Sequence, residues 1–385
     1  MEQLTAEQIM DANLANHQTV QFGRGRKTIE INVLAQEIDR VKHNFLDHIT
    51  EPGEVRVGVN DAGTDLAMTI MRKEMSPEGD PKLSFPSYGM TEWAHKQLAD
   101  KVGIPKKYYD RMRTPEHLWL LEKNVNTWID DNGGRRIRTL DGKVRAVLSS
   151  SFLPIDNWMV AEEFLQGIVR HKLDPKEDVQ ACSISDTHMH LRATIPHMKE
   201  DIKKGDTVIQ GLMVSNSEVG ASSFRVEPFL LRLLCTNGLI GPNALTRIHL
   251  GGKTSAGEFQ FSDNVQNMET DLVRAQVKEI IDKTFDEESF HKWLDQIRGT
   301  TDVQIQNVSS TVENFTTKYS MKNMENSILD ALVREGDPTQ YGLVNAITRV
   351  AQDVPTFEGQ IELERIAGEI SVMKEAEFIK KLVTV

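Results

Sequence analysis

Residues 106–113, Lys-Lys-Tyr-Tyr-Asp-Arg-Met-Arg, interleave four cations with two aromatic rings. That mixture suits a single strand of nucleic acid, because cations track the phosphates while flat rings accept unstacked bases. A second basic group follows. Residues 135–148 read as two alternating runs around Asp141-Gly142, a dipeptide that tolerates the positive φ angles of a two-residue hairpin turn. Alternation puts Arg136 and Arg138 on one face of the first strand, and Lys143 and Arg145 on one face of the second. The candidate nucleic-acid-binding residues are therefore Lys106, Lys107, Tyr108, Tyr109, Arg111, Arg113, Arg135, Arg136, Arg138, Lys143 and Arg145. A plainer reading stands beside this one: charge runs are commonly solvated faces, and a tyrosine pair after Ile-Pro commonly packs a helix into a core.

Metal chemistry has one candidate cluster, Cys182, His188, His190 and His197. His188 and His190, two apart on a strand, project to the same side, and Asp186 is close in sequence. No second ligand pair is spaced to close a tetrahedron, so no metal is expected. Cys235 follows Leu233-Leu234 and reads as a small buried hydrophobe. Gly251-Gly252-Lys253-Thr254 resembles the end of a phosphate-binding loop, yet Arg247 stands where that loop needs its first glycine. Gly23-Arg24-Gly25 lacks the third glycine of a dinucleotide fingerprint. The acids cannot be paired at a catalytic separation. The sequence thus nominates no catalytic residue and no cofactor, and it points to a binding protein rather than an enzyme.

The elements that must carry these residues follow from periodicity. Val33 to Ile49 has the apolar spacing of one helical face, and Glu54 to Val59 turns through Asn60-Asp61-Ala62-Gly63 into Leu66 to Met71 as a hairpin. Residues 90–132 read as short helices, with Trp93, Leu98 and Val102 on one face and Thr114-Pro115-Glu116 as a helix start. A helix over 157–171 precedes strands near 179–185, 188–195 and 207–214. Phe224 to Cys235 and Leu245 to Leu250 read as extended, although 229–234 has the composition of a buried helix as well. From Asp263 onward four to six helices are expected, with Gly299 stopping one, Gly336 separating two and Asp337-Pro338 capping another. The class is α+β: a mixed or antiparallel sheet with hairpins and packed helices, followed by a helical C-terminal part. Three regions are expected, an N-terminal α/β segment over 1–93, a central α+β core over 94–257, and an acidic helical region over 258–385, with a junction at Gly251 to Gly257.

Charge divides along the same lines. The 385 residues carry a formal net charge of −12, which argues against uniform coating of nucleic acid. The three blocks 1–100, 101–257 and 258–385 carry −6, +4 and −10, so the middle is mildly basic and the last third strongly acidic. Two cysteines argue against a disulfide scaffold and for a reducing compartment. No apolar run approaches a membrane span and the first residues lack the pattern of a signal peptide, so a cytoplasmic protein with no membrane association is expected.

Five segments carry a resemblance: AHKQLADKVGIPKKYYDRM (94–112), VRAVLSSSFLPIDN (144–157), LMVSNSEVG (212–220), FLLRLLCTNGL (229–239) and YGLVNAITRV (341–350). In this order they resemble the blocks of the phage and plasmid-like family called domain of unknown function 932. The resemblance implies a setting on phages, plasmids and integrated elements, near replication, recombination or anti-restriction genes. It implies no catalytic residue. By their own chemistry, Asn216 to Gly220 and Thr236-Asn237-Gly238 read as structural turns, and Ser149-Ser150-Ser151 as either a strand end or a phosphate contact.

The functional expectation is a mobile-element DNA-metabolism protein that binds single-stranded DNA and anneals strands as a homo-oligomeric ring or filament. Five phosphate contacts would lower affinity roughly a hundredfold between 50 and 200 mM salt. The alternative is a counter-defence or regulatory protein whose acidic helical region contacts a host protein.

Overall fold

The structure, a computed structural model, describes residues 30–75, 80–131, 133–150, 152–234, 237–241, 245–247 and 263–383. The expectations for Gly23 to Gly25, Cys235 and the Gly251 to Gly257 junction lie outside these residues.

Helix α1 (Ile31–Asn44) buries Leu34, Ile38 and Val41, one apolar stripe at helical spacing. The periodicity of Phe45, Leu46 and Ile49 predicts that it continues to Ile49. Instead the chain passes directly into strand β1 (Phe45–Thr50), because this segment pairs with β7 (Arg135–Leu140), Asp47 lying opposite Arg138. A ladder of long-range hydrogen bonds overrides a local apolar pattern. Strand β8 (Lys143–Ser149) closes the expected hairpin with β7, and Asp141 and Gly142 at its tip have φ of 49° and 75°, the signs a type I′ turn requires. Asp141 is also held by Arg40 of α1.

The first sheet runs β1-β7-β8-β6-β3-β2, with β2 (Val55–Val59), β3 (Leu66–Ile70) and β6 (Ser87–Met90). Its β6–β8 contact is parallel and the others are antiparallel. Strands β4 (Arg72–Met75) and β5 (Pro81–Ser84) form a separate ribbon. Helices α2 (Glu92–Lys101), α3 (Lys106–Met112) and α4 (Leu118–Trp128) contribute Leu98, Tyr109, Leu121 and Val125 to a core shared with Val57, Met68 and Ile137. Helix α4 starts one turn later than Thr114-Pro115-Glu116 suggests: the Leu118 N–H donates to the Thr114 carbonyl, and those residues form the preceding turn. Strands from both sides of residue 93 share this sheet.

Helix α5 (Asn157–Arg170) leads into the second, antiparallel sheet, β13-β12-β11-β10-β9, made of β9 (Val179–Ile184), β10 (Met189–Lys203), β11 (Asp206–Asn216), β12 (Phe224–Arg232) and β13 (Asn237–Ile240); β14 (Leu245–Arg247) pairs with β12. The 229–234 ambiguity resolves to strand through Arg232, since Phe229 and Leu231 face one side and Leu230 the other. Both sides are covered. Leu212, Val214 and Leu230 face the main core with α1, α5 and the C-terminal helices, while Met213, Phe229 and Leu231 meet Phe357 and Ile361.

The longer C-terminal helices are α6 (Asp263–Lys283), α7 (Glu287–Thr300), α8 (Val308–Lys318), α9 (Glu325–Glu335), α10 (Gln340–Ala351) and α11 (Phe357–Ser371), followed by a short helical turn over Glu375–Phe378. Helix α7 ends at Thr300, one residue past Gly299, where the sequence places its stop. Gly336 ends α9 in the left-handed conformation, as expected, with φ of 67°. The cap of α10 is Thr339 rather than Asp337-Pro338: its side-chain oxygen accepts the Gly342 N–H, whereas proline has no side-chain acceptor and the Asp337 carboxylate is taken by Lys203 and the Thr339 hydroxyl. Trp293, Phe315, Leu343 and Ile370 from these helices enter the main core, so the acidic third lies packed on the second sheet. Among the described residues no helix is long and apolar enough to cross a membrane.

Helix and sheet approach closely at Gly368 of α11, where any Cβ would collide with the Ile240 carbonyl of β13. Gly368→Ala should therefore push α11 off the sheet at a cost of about 3 kcal/mol or more, read as a lowered thermal midpoint, while Gly299→Ala, with open space at its Cβ position, should leave the midpoint within a degree or two or raise it.

Candidate functional site

The arginines of the β7–β8 ribbon turn inward. Alternation does put Arg136 and Arg138 on one face, but that face meets Asp47 of β1: Arg136 donates to one carboxylate oxygen at 3.0 Å and Arg138 to the other at 2.7 Å. Arg138 is 2% exposed and also donates to Asp156 at 2.7 Å and to the Glu218 carbonyl at 3.0 Å. Burial alone would pull its guanidinium pKa down, and Asp156, Asp47 and Glu218 together reverse that and raise it. Arg145 pairs with the buried Glu218 carboxylate at 3.0 Å, and the other Glu218 oxygen accepts the Asn157 N–H at 2.7 Å, at the start of α5. Asn216 closes the junction with 2.7 and 2.8 Å bonds to the Ile155 carbonyl and the Asn157 side chain. Arg135 is buried as well and donates to the Ile129 carbonyl at 2.7 Å.

These four arginines are therefore grouped on the ribbon, and each is already engaged with a carboxylate or a carbonyl. Releasing one to a phosphate would strand a buried acid or carbonyl, which costs several kcal/mol. Arg138 and Arg145 tie the first sheet to the turn after β11 of the second, while Arg135 and Arg136 bond to Ile129 and Asp47 on the first sheet's own side. The Asn216 to Gly220 turn forms the other half of that junction, with Gly220 at φ of 72°.

The basic segment 106–113 divides in the same way. Tyr109 is fully buried, its hydroxyl 2.8 Å from His95 Nδ1, and Arg113 clamps Asp65 through two bonds of 2.8 and 2.5 Å and reaches Glu92. Burial, with Arg113 nearby, pushes the His95 pKa down to about 4, so the ring is neutral at pH 7. Lys107, Tyr108 and Arg111 face solvent. Lys106 pairs with Asp110 on its own helix and stays about a third exposed.

Lys106 and the exposed Lys143 meet at an open cleft of about 580 Å³. Its walls are Met90, Thr91, Glu92, Trp93 and Lys96 at the start of α2, Lys106 from α3, Lys143 from β8, and Asp186 and Thr187 from the turn between β9 and β10. Three lysines from three elements thus surround one indole. The Lys96 ammonium lies 4.6 Å from the centre of the Trp93 ring, and the indole packs beside Ala146, Leu148, Phe152 and Val219. Sequence reasoning reached Lys106 and Lys143 but passed over Lys96 and treated Trp93 only as part of a core-facing stripe. Their i, i+3 spacing on a helix was the available signal.

The metal candidates separate across the second sheet. Cys182 enters the main core, where burial pushes its thiol up to about 12. His190 is on the opposite side beside Phe357, its Nδ1 bonded to Ser215 at 2.9 Å, with the His188 ring stacked 5.7 Å away. His197 is exposed further along β10. Among the described residues no group of three His, Cys, Asp or Glu side chains could hold a metal ion.

The family model described as "Domain of unknown function (DUF932)" matches residues 144–358, more than half of the chain. Neither a curated protein nor a solved structure matches it.

Removing the guanidinium with Arg138→Met should cost about 3–5 kcal/mol, since Asp47 and Asp156 would be left partly buried without it; urea unfolding at pH 7 reads that loss. His95 gives a pH dependence of definite sign. Its folded pKa lies below the unfolded value of 6.5, so the unfolded chain binds the extra proton and stability falls as the pH drops from about 6.5 to about 4, by at most roughly 1.4 kcal/mol per pH unit. His95→Asn, which keeps a polar atom near Tyr109, should make that part of a plot of thermal midpoint against pH less steep, the half-buried His48 and the buried His190 supplying the remainder.

Proposed function

The chain belongs to the family of domain of unknown function 932, and we propose that it binds single-stranded DNA in the cleft formed by Trp93, Lys96, Lys106 and Lys143. The observation that carries this reading is the convergence of three lysines from separate elements around an indole. Cations placed this way meet successive phosphates, and the ring accepts a base. In the free protein Lys96 lies over Trp93. An exposed cation–π contact is worth about 0.5–1 kcal/mol and a base stacked on an aromatic ring about 1–3 kcal/mol. A base therefore displaces the ammonium, which then swings to a phosphate. Lys107, Tyr108 and Arg111, exposed on the same helix as Lys106, extend the basic surface beyond the cleft. The net charge of −12 weighs against uniform coating of a polyanion and favours binding at a local basic surface such as this one.

Within a mobile element such a protein serves recombination or replication, presenting a strand for annealing, with several copies along one strand. The fold bears on the alternative, a host-protein contact through the acidic third, only in that α6 to α11 spend their apolar faces on the main core, which leaves that reading to charge alone.

Three cleft lysines give a shallower salt dependence than five free cations would: about twentyfold weaker binding at 200 mM than at 50 mM salt. Fluorescence anisotropy with a labelled oligonucleotide should find that slope, and Lys143→Glu should weaken binding about tenfold at 50 mM and reduce the slope by about 0.7. No binding at low salt, or a slope indifferent to Lys143→Glu, would sink the proposal.

A further inference from the structure

One backbone carbonyl, that of Val219, accepts two hydrogen bonds from α2: the Trp93 indole N–H at 3.0 Å and the Gln97 amide at 2.7 Å. The same Gln97 side chain accepts the Val147 N–H at 2.8 Å through its oxygen. Gln97 thus spans from β8 of the first sheet to the turn that leaves β11 of the second, with the indole fastened beside it. The turn is itself held from behind, since Glu218 takes Arg145 on its carboxylate and Arg138 on its carbonyl. Gly220, at φ of 72°, has Leu148 at 2.9 Å and Phe152 at 3.3 Å from where a Cβ would sit, closer than ordinary van der Waals contact, so the turn has little room to move.

We propose that Gln97 and the Ser217 to Gly220 turn are positioning elements for base stacking: they fix the plane of Trp93 in the cleft so that a base meets a ring already oriented. The inference rests on the single-strand reading above and adds which residues set its base-dependent part. A freely rotating indole loses side-chain entropy on stacking, of order 1 kcal/mol, whereas a ring held at its N–H has lost that freedom on folding. Lys96, Lys106 and Lys143 reach phosphates without help from this bond. Loss of Gln97 must therefore weaken recognition of bases and leave recognition of the backbone unchanged.

The test compares an ordinary oligonucleotide with an abasic one of equal length, whose phosphates are the same. Gln97→Leu should weaken binding of the ordinary strand about three- to tenfold with its salt slope unchanged, and leave the abasic strand within twofold. Gln97→Glu, whose carboxylate still accepts the Val147 N–H but cannot donate to Val219, should behave alike and serves where the leucine variant does not fold. In protein labelled with 5-fluorotryptophan, the free-state fluorine resonance of Trp93, assigned by its loss in Trp93→Phe, should shift or broaden in both variants. A purely structural role for Gln97 predicts equal losses on both strands, and that outcome, or unchanged affinity for the ordinary strand, overturns the inference while the cleft proposal stands. If the wild-type protein binds neither strand, the cleft proposal falls and this one with it.

Discussion

A guanidinium buried among two carboxylates and a carbonyl holds this molecule together. Arg138 stands on the first sheet, and its partners are Asp47 on the neighbouring strand, Asp156 at the entry to α5, and the Glu218 backbone at the exit from the second sheet. A charge at 2% exposure is tolerable only when every donor is matched, and matching these donors requires three parts of the chain to arrive together. Arg145, Glu218, Asn157 and Asn216 extend the same requirement across the junction. Apolar packing would hold the two sheets near each other. The ionic set fixes their relative orientation, and with it the width of a cleft whose walls come from both.

The family match and the geometry meet at this point. Residues 144–157 and 212–220 contribute Arg145, Asp156 and Asn157 on one side and Asn216, Glu218 and Val219 on the other. Residues 229–239 and 341–350 meet in a similar way, where Arg232 and Tyr341 share Asp206 and where Asn237 lies 3.3 Å from Thr348. These four segments, all inside the matched residues 144–358, are thus the two halves of two polar contacts. The cleft lies along the rim of the first.

Much of the fold was legible. Asp141-Gly142 between alternating runs could only be a tight hairpin, and the helical period after Asp263 could only be helices. Local pattern failed where partners distant in sequence decided the outcome. Phe45 to Ile49 fits a helical stripe until β7 claims it. Arg136 and Arg138 are rightly assigned to one face, but nothing local tells a basic face turned to solvent from one turned to acid, and Asp47 is about ninety residues away. Lys143 was recoverable because it stands next to the turn, where a strand has not yet entered the sheet's interior. Trp93 was the harder case, since an indole on a helix is ordinarily core, and its placement at a rim depends on a carbonyl 126 residues later in the chain.

The mooring of the hairpin tip has a thermodynamic meaning for whatever enters the cleft. Arg40 of α1, itself braced by Glu37, grips Asp141 at the turn, and Lys143 follows two residues later. The loop that carries this lysine has surrendered its backbone freedom during folding. For an anion bound there as proposed, only the side-chain torsions of Lys143 would remain to be frozen, at most about 2 kcal/mol. A contact between α1 and a turn thus reaches the ligand as a smaller entropic penalty on association.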